Sequence, residues 1–131
     1  MTGTSDDRVE LQAVQDALYV VGGKWRFAII FALCDQPRRF NELQRQVKGI
    51  TSRMLSKELR ELELNKLVKR TVYATSPIVT EYELTRHGMT LEPVLKALGA
   101  WGKFHREEVV RPVSSPIEPV TEEDVNLLKA Y

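Results

Sequence analysis

The hydrophobic period of the chain changes after Asn65. Before it, apolar side chains return at steps of three and four, the mark of amphipathic helices; after it, "LVKRTVY" and "TEYELT" read as strands, with Tyr82 and Leu84 alternating with Glu81 and Glu83. Between these two runs, "ATSPIV" carries Pro77 and small residues, which predicts a hairpin with a loop of several residues. A chain that must place helices, then one hairpin, then another helix around a single modest core has few folds open to it.

The helices can be placed one by one. Leu11, Val14, Leu18 and Val21 give a first amphipathic helix that ends at Gly22 and Gly23. "KWRFAIIFALC" is apolar on nearly every side, as expected of a central buried helix, and Pro37 lies just past its end. Phe40, Leu43 and Val47 mark a third, shorter helix that Gly49 breaks. The fourth is "GITSRMLSKELRELELN", residues 49–65. At about 100° per residue, Ser52, Arg53, Ser56, Lys57 and Arg60 fall within one arc of roughly 140°, while Leu55, Leu59 and Leu62 cluster on another face. Thr51 is placed to cap its start, and Asn65 to end it in the left-handed conformation. After the hairpin, Thr85 can cap a long final helix striped by Leu91, Val94, Leu95, Leu98, Trp101 and His105. Pro93 inside that pattern predicts a kink or a restart near Thr90. From Ser114 a Pro- and Ser-containing linker leads to a short helix capped by Thr121.

The expected fold is therefore mainly α with a small antiparallel β-hairpin, a winged helix-turn-helix over residues 1–113, followed by an acidic tail over 114–131. The 131 residues suit one globular domain. No apolar run approaches a membrane span of roughly 20 residues. The first twenty residues carry acids where a secretory signal carries bases, so the expected location is cytoplasmic and no membrane partner is expected. The lone Cys34 excludes an intrachain disulfide and a Cys-rich zinc cage; at the end of an apolar helix it reads as a small buried hydrophobe.

Charge is distributed unevenly. The net charge is +1, yet residues 24–73 hold twelve Lys or Arg against five Asp or Glu, and both ends are acidic. A basic middle points to a polyanionic partner, the alternative being a solvated basic face, and the winged helix-turn-helix order makes that partner double-stranded DNA. On the fourth helix, Arg53 can make a forked contact to guanine, Lys57 and Arg60 can reach base edges or phosphates, and Ser52 and Ser56 can donate to phosphate. Thr51 opens that helix at the DNA. Lys24 and Arg26, which open the second helix, and Arg38 and Arg39, which precede the third, are candidate phosphate contacts. The apolar stripe of the last helix is broad for so small a domain, which predicts that a second copy covers it. The residues expected at that homodimer interface are Leu11, Val14 and Leu18 with Leu91, Val94, Leu95, Leu98 and Trp101. Trp25 is expected in the core or at an interface. His87 and His105 lack partners at ligand spacing, so no metal is expected, and no cofactor. A Gly-rich phosphate loop, a Ser-His-Asp order and paired carboxylates are all missing, which argues against an enzyme. The competing class is a winged-helix protein-interaction module that has lost its operator.

Five blocks, "GGKW", "PRRFNEL", "GITSRMLSKELRELELNKLVKR", "EYELT" and "LEPVLKALGAWG", occur in the order and spacing of the HxlR-type winged helix-turn-helix regulators, relatives of the MarR regulators, which the chain resembles over about residues 17–106. That resemblance implies a homodimer built from the first and last helices, bound to a two-fold operator and repressing or activating nearby genes. It leaves room for a small-molecule effector of unknown identity. Two features depart from the family pattern. "DDRVELQAVQDAL" lacks the cysteine that many members carry before the first helix, and "ATSPIVT" lacks the arginine that many wings carry near Val79.

Overall fold

A computed structural model describes residues 5–111 and 120–129. The order is α1 (Ser5–Val21), α2 (Arg26–Leu33), β1 (Arg38–Arg39), α3 (Phe40–Gln46), α4 (Ser52–Leu64), β2 (Val68–Tyr73), β3 (Val79–Leu84), α5 (Arg86–Met89), α6 (Glu92–Val110) and α7 (Glu122–Lys129). The chain divides into two compact units, Met1–Met89 and Thr90–Tyr131. The boundary expected between residues 113 and 114 lies outside the described residues.

In the first unit the core gathers Ile29, Ile30 and Leu33 of α2, Leu43 of α3, Leu55, Leu59 and Leu62 of α4, and Leu67, Val68 and Tyr82 around the sheet. Each fully buried leucine or isoleucine contributes about 1.5–3 kcal/mol relative to its exposed state. Leu55, Leu59 and Leu62 thereby decide which face of α4 turns inward. Thr51 caps that helix as expected: its Oγ1 accepts the Met54 N–H at 3.2 Å.

The end of α4 differs by one residue from the expectation. Asn65 keeps a right-handed backbone (φ −85°, ψ 7°) and Lys66 takes the left-handed one at φ 61°. The Asn65 amide explains the shift: Nδ2 donates to the Glu61 carbonyl at 2.8 Å, satisfying a terminal acceptor without reversing its own backbone. The reversal passes to Lys66, and the Leu67 N–H closes back on the Leu62 carbonyl at 3.0 Å.

The sheet has three strands in the order β1-β3-β2, all antiparallel, not the two of a simple hairpin. Arg38 pairs with Tyr82 and Arg39 with Glu81. A two-residue strand is too short to show any period in a sequence. α2 also differs from the expected all-round burial, because Phe31 is 75% exposed. Beside it lies an apolar cleft lined by Ala28, Phe31, Ala32 and Cys34, whose thiol is half-buried and not enclosed as expected.

Thr85 joins the sheet to the helix that follows. Its Oγ1 accepts the Gly88 N–H at 2.9 Å and donates to the Lys66 carbonyl at 2.6 Å. It caps only α5, because the chain restarts at α6, with Pro93 in its first turn where a missing N–H is harmless. The second unit holds α6 and α7, with α7 against α6.

α7 begins with the cap expected at Thr121. The Thr121 N–H and Oγ1 both donate to Asp124 Oδ2, at 3.0 and 2.9 Å, and the Asp124 N–H donates to Thr121 Oγ1 at 3.2 Å. The backbone and side-chain bonds from Thr121 hold the Asp124 carboxyl below the usual carboxylate range. A lowered folded pKa means that the cap is fully present above the unfolded carboxylate value of about 3.9 and is lost as pH falls through the lower folded value. Amide exchange at Asp124 and Val125, followed by NMR, should therefore accelerate below about pH 4 beyond its intrinsic rate. Thr121→Ala should show that acceleration already at neutral pH.

Candidate nucleic-acid interface

α4 carries the site because its two faces have opposite roles. With the leucines turned into the core, Ser52, Arg53, Ser56, Lys57 and Arg60 are all exposed. Arg53, Ser56, Lys57 and Arg60 line one shallow groove along the helix, beside Glu61. Among the described residues, no ion pair or hydrogen bond engages the side chains of Arg53, Lys57 or Arg60. The face is positive in balance, three basic side chains against the Glu61 carboxylate, and is preformed by the helix beneath it.

Two other arginines behave differently. Arg26 Nε contacts Glu58 Oε2 of α4 at 2.6 Å, and its Nη1 donates to the carbonyls of Tyr19 and Val20 at 3.1 and 2.7 Å. Its side chain is 16% exposed. It ties the end of α1 to α4 and is thus a structural clamp, not the phosphate contact expected from its place at a helix start. Arg38, 14% exposed, donates to Asp35 at 3.1–3.2 Å and to the Ala32 carbonyl at 3.3 Å, with Glu42 at 4.0 Å. Arg39, its neighbour in β1, points instead to a groove shared with Tyr73, Thr75 and Val79 of the wing. Lys24 lies over the Trp25 ring, 4.7 Å from its centroid. That ring reaches the α3–α4 turn, 3.6 Å from where a Cβ on Gly49 would stand.

Sequence reasoning missed Gln44. The Ser52 hydroxyl donates to Gln44 Oε1 at 3.0 Å, linking α3 to the first residue of α4 and orienting both polar groups. Only the tertiary fold brings these two positions together. The residues expected at a dimer interface form two apolar surfaces. Leu11, Val14 and Leu18 of α1 are each more than half exposed, as is Trp101 of α6; Val94 and Leu98 are 44% and 45% exposed, and Leu91 and Leu95 half-buried. Trp101 stacks on His105 with centroids 4.9 Å apart and planes 7° from parallel. Among the described residues, no cluster of His, Cys, Asp and Glu is placed to hold a metal, and no helix is long and apolar enough to cross a membrane.

The model of a family described as HxlR-like helix-turn-helix matches residues 20–110, from the end of α1 to the end of α6. The chain belongs to that family. Its HxlR-like relatives include the HTH-type transcriptional regulators YdeP and YybR of Bacillus subtilis. YdeP is 39% identical over 105 residues, covering 80% of this chain and 82% of YdeP. YybR is 43% identical over 94 residues, covering 72% and 75%. Among solved structures, the redox regulator HypR in its reduced form superposes with a TM-score of 0.70 at 41% identity, covering 74% of this chain and 96% of HypR. The protein is thus an HxlR-type transcriptional regulator with a winged helix-turn-helix, in which α3 and α4 form the helix pair and β2–β3 the wing.

Proposed function

We propose that this regulator acts as a homodimer on a two-fold DNA operator, with α4 as the recognition helix. The observation that carries the reading is the α4 face, where Arg53, Lys57 and Arg60 are exposed and without partners among the described residues while the opposite face is locked into the core. Arg53, with Ser52 and Ser56, reads bases or close phosphates, since the N-terminal part of such a helix enters the major groove deepest. Lys57 comes next, and Arg60 contacts backbone. The N-terminal amides beside Thr51 face phosphate, and Lys24 and Arg39 contribute charge at the edges. Arg38 sets the β1 edge on which Arg39 stands, and its contribution to the duplex is mainly through that placement. Leu11, Val14 and Leu18 on one helix, and Leu91, Val94, Leu95, Leu98 and Trp101 on another, form two surfaces covered by the second copy, because apolar rows of this length are unfavourable in water.

Selection of binding sites from random duplexes, followed by anisotropy titration of the winner at several salt concentrations, tests the reading. The expected result is an inverted repeat with half-sites one or two helical turns apart. With about eight phosphates neutralised, the log–log salt slope should lie near −7. A slope near −1, no enriched sequence, or a monomeric mass by light scattering at micromolar concentration would contradict it.

A further inference from the structure

β2 leaves α4 through the Asn65–Leu67 turn and runs back beside it, which brings a residue of the sheet to the basic helix. Arg70 and Tyr82 are direct cross-strand partners, so their side chains leave the same face of the sheet. Tyr82 is 7% exposed, which identifies that face as the one packed inward. Arg70 stands at its exposed rim, and one groove is lined by Ser56, Arg60 and Glu63 of α4 together with Arg70 and Tyr82.

The charges in that groove are not balanced internally. Among the described residues, neither Arg60 nor Arg70 enters an ion pair, although Glu63 lines the same groove. Two guanidiniums held by separate elements against the single Glu63 carboxylate leave the groove one positive charge in excess, which favours an added anion, and their planar forks match the oxygens of a phosphate. The Ser56 hydroxyl on the same wall adds a donor.

We propose that Arg60 and Arg70 together clamp a single backbone phosphodiester of the bound duplex, and that Arg70 of the sheet is a DNA-contacting residue that sets how far α4 can advance along the groove. This rests on the reading of α4 as the recognition helix. A phosphate contact carries no base information, so the clamp positions and does not select.

Lys69 provides a matched control: it loses the same charge but lies on the opposite face of the same strand. Arg70→Ala and Lys69→Ala are compared with the unaltered protein on the selected duplex, by salt titration and by ethylation interference. Both side chains are exposed and, among the described residues, outside any ion pair, so both variants should melt within about 2 °C of the parent. The expected result for Arg70→Ala is about tenfold or more weaker binding, a salt slope shallower by about 2 for a two-chain complex, and an unchanged sequence preference. Ethylation of the clamped phosphate in each half-site, which blocks the parent, should weaken the variant's binding less, since Arg60 alone remains to lose. An unchanged slope in Arg70→Ala, or an equal loss in Lys69→Ala, overturns the clamp while leaving the operator reading intact. Failure of the unaltered protein to bind any duplex overturns that reading, and the clamp with it.

Discussion

Replacing Arg53 and Lys57 together by alanine should weaken binding to the selected duplex by at least about 10³-fold and flatten its sequence preference, with the fold unchanged. A forked arginine–guanine contact discriminates by about 1–3 kcal/mol, and a two-fold complex loses each contact twice. Loss of two more lysine contacts adds to this and makes the salt slope shallower. Among the described residues neither side chain has a hydrogen bond or ion pair to lose, so the melting temperature should move by no more than about 2 °C. Anisotropy against the selected duplex and a scrambled one reads both effects. Retained preference in the double variant would mean that α4 is not the reading element.

The largest stability effect is expected from the smallest side chain. A Cβ on Gly88 would stand 2.1 Å from the Leu67 carbonyl oxygen, a backbone atom at the turn between α4 and β2. That carbonyl already accepts the Thr85 N–H at 3.0 Å, so it cannot swing aside without breaking the join between sheet and α5. Gly88→Ala should cost about 3 kcal/mol or more and lower the melting temperature by about 10 °C. Gly99→Ala in α6 is the control, since nothing lies within 4 Å of its added methyl. There the loss of unfolded-state freedom should stabilise by about 0.5–1 kcal/mol. Thermal melts of the two variants, identical in chemistry, should thus move in opposite directions.

Much of this architecture is readable from periodicity and end signals. The leucine and basic faces of α4, its Thr51 cap, the Thr121 cap and the restart forced by Pro93 all depend on neighbours within a few residues, and local patterns record such neighbours. The remainder depends on partners distant along the chain. Arg26 meets Glu58 across 32 positions, and nothing local distinguishes it from Arg53, whose side chain has no partner among the described residues. β1 exists only because β3 passes beside it. Phe31 looks like core by composition, yet a stretch that is apolar all round does not say which side its own chain will cover. Arg70 was hidden in a basic run. Its alignment with Tyr82 across the hairpin separates it from Lys69, and that depends on register, not composition.

The Arg26 clamp makes a lever of two helices. One guanidinium holds the last carbonyls of α1 and the Glu58 carboxylate of α4, bridging the Gly22–Gly23 break that would otherwise act as a free joint. A tilt of α1 should therefore reach α4 and not be lost in the glycines. Transmission of this kind runs both ways. If α4 is held from outside, the angles open to α1 should narrow by the same free energy, and Arg26→Gln, which removes the shared guanidinium, should uncouple the two helices.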